Sequence, residues 1–502
     1  MKAATLSKSS FSAGLQCGKR LWIEKHKPEL SPEPSPSQLA IFEQGHEVGS
    51  WSHKLFPDGI LLGNELDFKF HLQASKDALA ARKPLFEPAF AIPGAYARAD
   101  ILAPVESGRW DLLEVKSASD VWEDDARTQI KAVYLQDLAF QLHVYRQAGL
   151  DIRRTYLVFL NGAYVRHGDI EPQQLFRRED VTLQVEALLP SIPDQVAKLS
   201  EMLQGPTVPE VGIGPHCDAP YECGLKAHCW KHVPADSVFT LTRAGKRAWT
   251  WWNSGVMRVA DLPSTEKYSP KQTIQITVER TRASHMKARA IERFLEGLHY
   301  PLHFLDFETI GPAVPMFDGC RPHAQVPFQF SLHIQKSPGG EVTHLDYLAD
   351  ASGDPRPGFL RALLASLGPE GSIVSYNSSF EISRMRELAT QFPNYAAWII
   401  QALVRFEEAD LLKPFRSFAV YRPEQHGSAS IKSVLPAFTE LSYDDLAIQE
   451  GGTASSQFLR LLNGLIPAAE IDNLRQNLLS YCERDTFAMV KLVEKLQLLC
   501  CA

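Results

Sequence analysis

Two acidic residues and a lysine near residue 100 have the types and spacing of a divalent-metal site. Asp100 lies in one extended segment, and Glu114, Val115 and Lys116 lie in the next. Side chains two apart on a strand share a face, so Glu114 and Lys116 point together, and a hairpin brings Asp100 beside them. Two carboxylates and the Val115 carbonyl suit Mg²⁺ or Mn²⁺, and the lysine can orient water or offset developing charge. Taken alone, such a triplet also occurs by chance on exposed strands.

Three residues on flanking helices could support that site. His46, in the sequence GHEVG, is available as a further metal ligand. Gln141 and Tyr145 are four residues apart, so they share one helix face, where they could contact a nucleic-acid backbone or brace the catalytic lysine. The alternative for His46 is a polar residue that only makes ordinary hydrogen bonds. The alternative for Gln141 and Tyr145 is half-buried helix packing.

Four of the eight cysteines, Cys17, Cys217, Cys223 and Cys229, have the distribution of a metal or cluster site. In a cytosolic protein, closely spaced cysteines indicate metal binding before they indicate disulfides. Four thiolates suit either a tetrahedral Zn²⁺ ion or an iron–sulfur cluster, and the residues leave both open.

A second acidic group lies in the C-terminal half of the chain. Asp306 and Glu308 alternate with apolar residues, so both carboxylates lie on one face of a strand. Neighbouring carboxylates repel each other, and a bound cation offsets that cost. Tyr481 and Asp485 form a pair four residues apart on the last helix, and Glu381 follows the motif Tyr-Asn-Ser-Ser-Phe between the two groups.

Hydrophobic periodicity and turn residues predict the elements that carry these groups. Before residue 235 we expect a helix from Leu39 to Leu55, a hairpin of AYARADILAPV and WDLLEVKSA, a helix over TQIKAVYLQDLAFQLHVYRQAGL, and a second hairpin of TYLVFL and AYVRHG. After residue 295 we expect strands PLHFLDFETI, PFQFSLHIQ and EVTHLDYLA, helix GFLRALLASLG, strand SIVSYN, helix FEISRMRELA and a long final helix. The predicted domains are 1–235 and 296–502, joined by a linker, 236–295.

The composition is that of an ordinary globular protein, with 45% apolar and 22% charged residues. We find no signal-peptide pattern and no run of about 18 apolar residues, so we expect a cytoplasmic protein with no membrane partner. The net charge of −7 does not favour bulk nucleic-acid binding, although local basic patches exist. Trp249, Trp251 and Trp252 could stack bases or pack a core.

The first constellation resembles the PD-(D/E)XK nuclease superfamily and, within it, the RecB-like branch, which adds a helical histidine and a Q-x-x-x-Y motif. The motif order in this chain is His46, Asp100, Glu114-x-Lys116 and Gln141-x-x-x-Tyr145. One upstream and three downstream cysteines are the arrangement of iron–sulfur RecB-like nucleases, which include the CRISPR-associated spacer-trimming nuclease and AddB-type helicase–nucleases. This resemblance implies a structural 4Fe–4S cluster on the four cysteines. Zinc stays an alternative, because five residues separate Cys217 from Cys223 and Cys223 from Cys229, whereas the family often has a shorter first gap.

Residues from about 300 to 495 resemble the DnaQ-like, or DEDD, exonuclease superfamily, whose motifs are D-x-E, N-x-x-F-D and Y-x-x-x-D. The resemblance implies that four acids hold two divalent metals, that Tyr481 orients the attacking water, and that nucleotides leave in the 3′-to-5′ direction. The implied acids are Asp306, Glu308, Glu381 and Asp485.

The central acid departs from that pattern, because Glu381 stands where aspartate is expected. Its extra methylene displaces the carboxylate by about 1.5 Å, which weakens a two-metal geometry unless the backbone adjusts. Asp410 is a potential substitute. The alternative is a degenerate domain that is retained for binding.

The sequence therefore predicts a mixed α/β chain with a restriction-endonuclease-like PD-(D/E)XK domain, an iron–sulfur cluster and a ribonuclease-H-like DEDD domain. It resembles a bacterial family of uncharacterised function that fuses these two blocks. We expect hydrolysis of phosphodiester bonds in DNA with single-stranded or free ends, with RNA as an alternative substrate. A rival hypothesis is a nucleic-acid-binding scaffold in which one or both sites are inactive.

Overall fold

The computed structural model describes residues 5–63 and 67–501. These residues form a mixed α/β structure with several sheets, as the sequence predicts at that level. The chain divides into an N-terminal unit, Met1–Lys231 with Pro312–Ala324, and a C-terminal unit, His232–Gly311 with Gln325–Ala502. The tract 236–295, which the sequence analysis treats as a linker, clusters with the C-terminal unit. None of the described helices is long and apolar enough to cross a membrane.

The N-terminal unit combines a mixed sheet with helices that precede and follow its strands. Its helices are α1 (Lys8–Gln16), α2 (Gly18–His26), α3 (Pro36–His53), α4 (Phe68–Ala78), α5 (Ala132–Gln147), α6 (Pro172–Leu175), α7 (Thr182–Leu188), α8 (Ile192–Gln204) and α9 (Lys226–Cys229). Its strands are β1 (Ile60–Leu61), β2 (Leu85–Phe86), β3 (Ala89–Ile92), β4 (Ala95–Arg98), β5 (Ile101–Pro104), β6 (Trp110–Lys116), β7 (Ile152–Leu160) and β8 (Phe176–Asp180).

The described strands of this unit form a six-stranded sheet in the order β1-β2-β5-β6-β7-β8, and β3 pairs with β4. The predicted first hairpin is confirmed where β5 and β6 pair antiparallel, with Ile101 opposite Leu113. Asp100 lies just before β5 and outside the strands, because the predicted strand AYARADILAPV is divided into β4, which pairs with β3, and β5. Beyond this point β6 keeps only its parallel partner β7, so one edge of residues 114–116 is left open toward Asp100.

Local sequence signals set the helices of the unit. A capping box of Ser35 and Gln38 begins α3 at Pro36, three residues before the predicted start at Leu39. Gly149, with a φ of 94°, follows α5, because a left-handed residue ends the helix at low cost when it lacks a Cβ.

The second predicted hairpin is wrong in its second strand. β7 pairs antiparallel with β8, residues 176–180, and not with AYVRHG at residues 163–168. Within that segment the Arg166 guanidinium donates to the carbonyls of Pro315 and Met316, at 3.1 and 2.6 Å. A partner distant in sequence therefore holds the segment out of the sheet.

The C-terminal unit begins with short helices and continues into a second sheet. Its helices are α10 (Lys246–Asn253), α11 (Pro270–Thr281), α12 (Ala288–Glu296), α13 (Arg356–Ser366), α14 (Ser379–Gln391), α15 (Pro393–Val404), α16 (Leu412–Arg416), α17 (Ile431–Phe438), α18 (Gly451–Leu462) and α19 (Ala468–Cys501). Its strands are β9 (His285–Met286), β10 (Leu302–Ile310), β11 (Val326–Gln335), β12 (Val342–Leu348), β13 (Ile373–Val374) and β14 (Val420–Tyr421).

The described strands of the second sheet follow the order β12-β11-β10-β13, antiparallel except for the β10–β13 pair. The strands and helices predicted after residue 295 are confirmed. Leu305 and Phe307 pack into an apolar core on one face of the sheet. Asp306 lies between them along β10 and therefore faces the opposite side, where α18 and α19 contact the strand.

The tryptophans of the former linker belong to a small core within the C-terminal unit. Trp251 is buried, and its Nε1–H donates to Glu266 at 3.1 Å. Trp249 and Trp252 both lie against Phe239, with ring centroids 4.5 and 5.2 Å apart. The packing alternative of the sequence analysis thus describes these residues better than base stacking.

Candidate metal centres

The N-terminal constellation assembles at the edge where β5 and β6 separate. The Val115 N–H donates to Asp100 Oδ2 at 2.6 Å, which fixes that carboxylate beside the strand. Glu114 and Lys116 share a face, as predicted, and Lys116 Nζ lies 2.9 Å from Glu114 Oε1. The structure therefore brings Asp100, Glu114, Val115 and Lys116 together in one place.

Two further charged residues join this group, and the sequence analysis missed both. Lys8 Nζ, on α1, lies 2.7 Å from Glu114 Oε1. Asp137, on α5, accepts from Lys116 Nζ at 3.0 Å and from Ser12 Oγ at 2.7 Å. Asp137 lies four residues before Gln141, so extending the helical pair by one turn could have found it. The contact of Lys8 spans 106 residues of sequence, and no local pattern indicates it.

The charges of the group determine the role that Lys116 can take. Burial raises the pKa of Asp100 to about 7, and the neighbouring Glu114 carboxylate adds to this effect. For Glu114, burial is outweighed by the Lys116 and Lys8 ammonium groups, which hold its pKa below the usual range. Burial alone would lower the pKa of Lys116, but Glu114 and Asp137 hold it above the usual range. These contacts favour the ammonium form of Lys116, which can donate hydrogen bonds.

Gln141 and Tyr145 share a helix face as predicted, but both are fully buried. Gln141 Nε2 donates to Glu114 Oε2 at 2.7 Å. The Tyr145 hydroxyl donates to the Pro88 carbonyl at 2.5 Å and accepts from the Ala99 N–H at 3.0 Å. Neither side chain reaches a surface that nucleic acid could touch, so the predicted contact is corrected. The pair instead positions Glu114 and the segment that leads to Asp100.

His46 lies on α3 at the wall of a cavity of about 630 Å³ beside this group. Lys8, Arg98 and Asp100 line the same cavity. Among the described residues, His46 forms no cluster with Asp100 and Glu114 in which all potential ligand atoms lie within 4.8 Å of one another. His46 therefore lines the same cavity as Asp100, and its role as a metal ligand stays a prediction.

The four predicted cysteine ligands line one cavity of the N-terminal unit as free thiols. Cys17 ends α1, and Cys229 ends α9, while the Cys223 N–H donates to the Cys217 carbonyl at 2.8 Å. Burial raises the pKa of the Cys223 and Cys229 thiols, and the neighbouring thiols add to it. Among the residues that the structure describes, no three of these thiols lie within 4.8 Å of one another.

The C-terminal acids gather on the helix-covered face of the second sheet. Asp306, Glu308, Tyr481 and Asp485 line a cavity of about 200 Å³. Asp306, Glu308 and Cys482 each offer one potential ligand atom, and these atoms lie within 4.8 Å of one another. A cysteine was not predicted here; it directly follows Tyr481, and its Sγ lies 3.7 Å from Asp306 Oδ2.

Among the described residues, Glu381 neither lines this cavity nor belongs to the cluster of ligand atoms, and its link to Asp306 and Glu308 is electrostatic. Burial raises the pKa of Glu381 to about 8, and the pKa values of Asp306 and Glu308 are raised by burial and by carboxylates that include Glu381. Glu381 is buried, and its Oε2 has no hydrogen-bond partner among the described residues. Asp410 instead accepts from the N–H groups of Asn377 and Leu412, both at 3.0 Å, so it is occupied as a turn acceptor. Buried, crowded carboxylates with an unsatisfied oxygen fit a cation site.

Asp485 has partners that sequence reasoning did not include. The Tyr443 hydroxyl donates to Asp485 Oδ1 at 2.5 Å. Burial raises the pKa of Asp485 to about 6, and Tyr443, Lys432 and Tyr481 limit that rise. The Lys432 ammonium lies 5.6 Å from the centre of the Tyr481 ring. These contacts hold Asp485 and Tyr481 at the wall of the cavity.

Residues 303–430, which include Asp306, Glu308 and Glu381, match a family model described as a domain of unknown function, DUF2779. Over 206 residues the chain is 29% identical to the uncharacterized protein MG366 homolog of Mycoplasma pneumoniae, covering 37% of this chain and 31% of that protein. It is 27% identical over 214 residues to the uncharacterized protein MG366 of Mycoplasma genitalium, covering 38% and 31%. It is 24% identical over 214 residues to the uncharacterized protein UU173 of Ureaplasma parvum, covering 37% and 30%. The chain thus matches less than a third of the length of each of these relatives.

Proposed function

We propose that the N-terminal unit is a RecB-like PD-(D/E)XK nuclease that hydrolyses phosphodiester bonds in DNA with Mg²⁺ or Mn²⁺. One observation carries the proposal: the Asp100 carboxylate accepts from the Val115 N–H at 2.6 Å, between Glu114 and Lys116, whose side chains lie 2.9 Å apart. A bound divalent cation would polarise the phosphate and acidify water. Asp100, Glu114 and the Val115 carbonyl are the groups that would hold it.

Side chains of the protein would supply the remaining catalytic and positioning roles. Lys116 is held between Glu114 and Asp137, so its ammonium can orient water or stabilise charge that develops on the phosphate. Gln141 fixes the second oxygen of Glu114. Lys8 reaches the cavity wall and can meet a phosphate oxygen. We propose DNA with single-stranded or free ends as the substrate of this cavity, which Lys8, His46 and Arg98 line.

Substitution of Lys116 tests this site. Lys116→Ala should abolish the activity of the N-terminal unit on end-labelled single-stranded DNA, because the ammonium is lost while the carboxylates remain. Lys198→Ala, at an exposed position of α8, is the matched control and should cleave like the parent. To isolate the N-terminal site, both variants are made in a chain that carries Asp306→Asn. Undiminished cleavage by Lys116→Ala in that background would contradict the assignment.

We further propose that the C-terminal unit is a DnaQ-like, ribonuclease-H-fold 3′-to-5′ exonuclease. The strand order β12-β11-β10-β13 and the cavity that Asp306, Glu308 and Asp485 line together support it. These four acids would hold two divalent cations, which supply the nucleophile and stabilise the leaving oxygen. Tyr481, at the cavity wall, can orient the attacking water. The unsatisfied Glu381 oxygen indicates that the longer side chain can serve.

Asp306→Asn in a Lys116→Ala chain tests the second site on 5′-labelled strands, where a 3′-to-5′ exonuclease leaves a ladder of shortened products. The ladder should disappear with Asp306→Asn. It should persist with Asp346→Asn, an exposed aspartate of β12. If the labelled strand is instead cut only to internal fragments, the exonuclease proposal fails.

We propose a 4Fe–4S cluster on Cys17, Cys217, Cys223 and Cys229. A tetrahedral zinc site with Zn–S bonds of about 2.3 Å holds its sulfurs about 3.8 Å apart. Among the described residues no three of these thiols lie within 4.8 Å of one another, so the sulfurs do not have the spacing of a tetrahedral zinc site. Anaerobically purified protein should be brown, and a Cys217→Ser variant should be colourless.

The control for the cluster is Cys320→Ser, at a buried cysteine of the same unit outside the group, which should stay brown. A colourless parent with stoichiometric zinc would favour the zinc alternative. The scaffold alternative has its own signature: DNA binding that persists while no divalent cation supports cleavage by either site.

A further inference from the structure

A second group of potential ligands lies on β11, β12 and α19, apart from the acidic cavity. His333 and His344 are directly opposite each other on the antiparallel pair β11–β12, and their rings stack with centroids 4.4 Å apart. Glu483, on α19, lies with a carboxylate oxygen 3.8 Å from His344 Nδ1. One potential ligand atom from each of the three residues lies within 4.8 Å of the others.

Hydroxyl groups orient both imidazoles. His344 Nε2 lies 2.9 Å from Ser331 Oγ, which lies 2.6 Å from Thr486 Oγ1. Thr486 Oγ1 in turn lies 2.8 Å from His333 Nδ1. One nitrogen of each ring is thus engaged by a buried hydroxyl, which leaves His344 Nδ1 and His333 Nε2 for another partner. Metal-bound histidines usually have this arrangement, with the distal nitrogen fixed by a second hydrogen bond.

We propose that His333, His344 and Glu483 bind a transition-metal ion of the Zn²⁺ class. Two imidazole nitrogens and one carboxylate oxygen suit such an ion, whereas Mg²⁺ prefers oxygen ligands alone. Zinc bonds of about 2.1 Å in tetrahedral geometry bring nitrogen and oxygen ligands about 3.3 Å apart. The separation of 3.8 Å between His344 and Glu483 closes to this value by a small rotation of the half-exposed glutamate.

The site would connect three elements of the C-terminal unit. β12 is an edge strand of the sheet, and α19 also carries Tyr481 and Asp485. An ion held by both imidazoles and Glu483 would fasten this edge strand to the helix. The expected consequence is a higher thermal stability of the C-terminal unit, because the ion binds the folded state and not the unfolded one.

The test is a Zn²⁺ titration of the full chain with its cysteine site loaded as purified, followed by calorimetry and thermal unfolding. His344→Gln and Glu483→Gln should each remove one equivalent of bound Zn²⁺ and the associated rise in Tm. Both positions are partly exposed, so these variants should fold. Substitution of a residue that only hydrogen-bonds to a metal ligand weakens metal binding about 10- to 100-fold. Loss of a ligand itself should therefore lower the affinity for Zn²⁺ on the order of 100-fold or more.

Three controls locate the ion. His299→Gln, at an exposed histidine before β10, should bind Zn²⁺ like the parent. Asp306→Asn should also keep this equivalent, because it alters the acidic cavity alone. Thr486→Val should weaken binding, and Thr486→Ser, which retains the hydroxyl, should restore it.

Co²⁺ gives a spectroscopic check, because nitrogen and oxygen ligands produce visible bands without thiolate charge transfer. Unchanged Zn²⁺ stoichiometry in both His344→Gln and Glu483→Gln would overturn the proposal. So would equal Zn²⁺ stoichiometry in Asp306→Asn and in Asp306→Asn combined with His344→Gln, or a thiolate charge-transfer band on the Co²⁺ equivalent that His344→Gln removes.

Discussion

Gln141 offers the sharpest test of how the N-terminal site is built. Its side chain is fully buried, and its amide donates to Glu114 Oε2 at 2.7 Å. A hydrogen bond to a charged group contributes about 1.5–3 kcal/mol. The Gln141 Oε1 atom has no hydrogen-bond partner among the described residues, so Gln141→Leu also removes an unsatisfied oxygen. The loss of stability should therefore fall near the lower end of that range.

The effect on catalysis follows from the same bond. If the amide holds Glu114 in its productive orientation, losing about 1.5–3 kcal/mol in the transition state lowers kcat roughly 10- to 100-fold. The Mn²⁺ concentration for half-maximal rate should rise, while affinity for single-stranded DNA stays the same, because Gln141 has no exposed surface.

Single-turnover cleavage over a Mn²⁺ titration, together with DNA binding measured in Ca²⁺, separates these quantities. Gln147→Leu, at an exposed position of the same helix, is the matched control. A fall in DNA affinity that accounts for the whole loss of rate would refute this reasoning and restore the role that the sequence alone suggested.

Three further predictions concern single side chains. Lys8→Met should lower kcat of the N-terminal site about tenfold in single-turnover cleavage, because an ammonium beside Glu114 is lost; an unchanged rate would make Lys8 purely structural. Glu381→Gln should abolish the exonuclease ladder in a Lys116→Ala chain. It should change the unfolding free energy without metal by less than about 1 kcal/mol, because a carboxyl whose pKa is raised to about 8 is already largely neutral at pH 7. His303 has its pKa lowered to about 4 by burial and by Arg405, so its neutral form stabilises the fold above pH 6.5, and this contribution is lost as the pH falls toward 4. Between pH 7 and pH 5 the parent should lose about 2 kcal/mol more unfolding free energy than His303→Gln, and equal losses in denaturant titrations would contradict the prediction.

The elements around the second sheet could be predicted because their signals are local. Asp306 and Glu308 alternate with apolar residues that pack into the core, so strand and face both follow from the sequence. The partner of β7 could not be predicted in this way. The segment after Asn161-Gly162 alternates like a strand, but the bonds of Arg166 to carbonyls of residues 315 and 316 depend on a distant part of the chain.

The same difference between local signals and contacts distant in sequence applies to the residues of the candidate sites. The antiparallel pairing of β5 and β6 brings Asp100 beside Val115, as the hairpin pattern indicates. The sequence left the role of Gln141 open between a nucleic-acid contact and bracing of the site, because helical spacing identifies a shared face but not whether that face is buried. The contact of Lys8 with Glu114 could not be predicted from a sequence pattern, because it depends on the packing of α1 against α5.

The central claim is that this chain contains two metal-dependent phosphodiester-hydrolysing sites. The most direct measurement is Mn²⁺-dependent degradation of end-labelled single-stranded DNA by the parent, by Lys116→Ala, by Asp306→Asn and by the double variant. We expect each single variant to retain the cleavage of its unaltered site, and the double variant to retain neither. Degradation by the double variant at the parent's rate would contradict the claim.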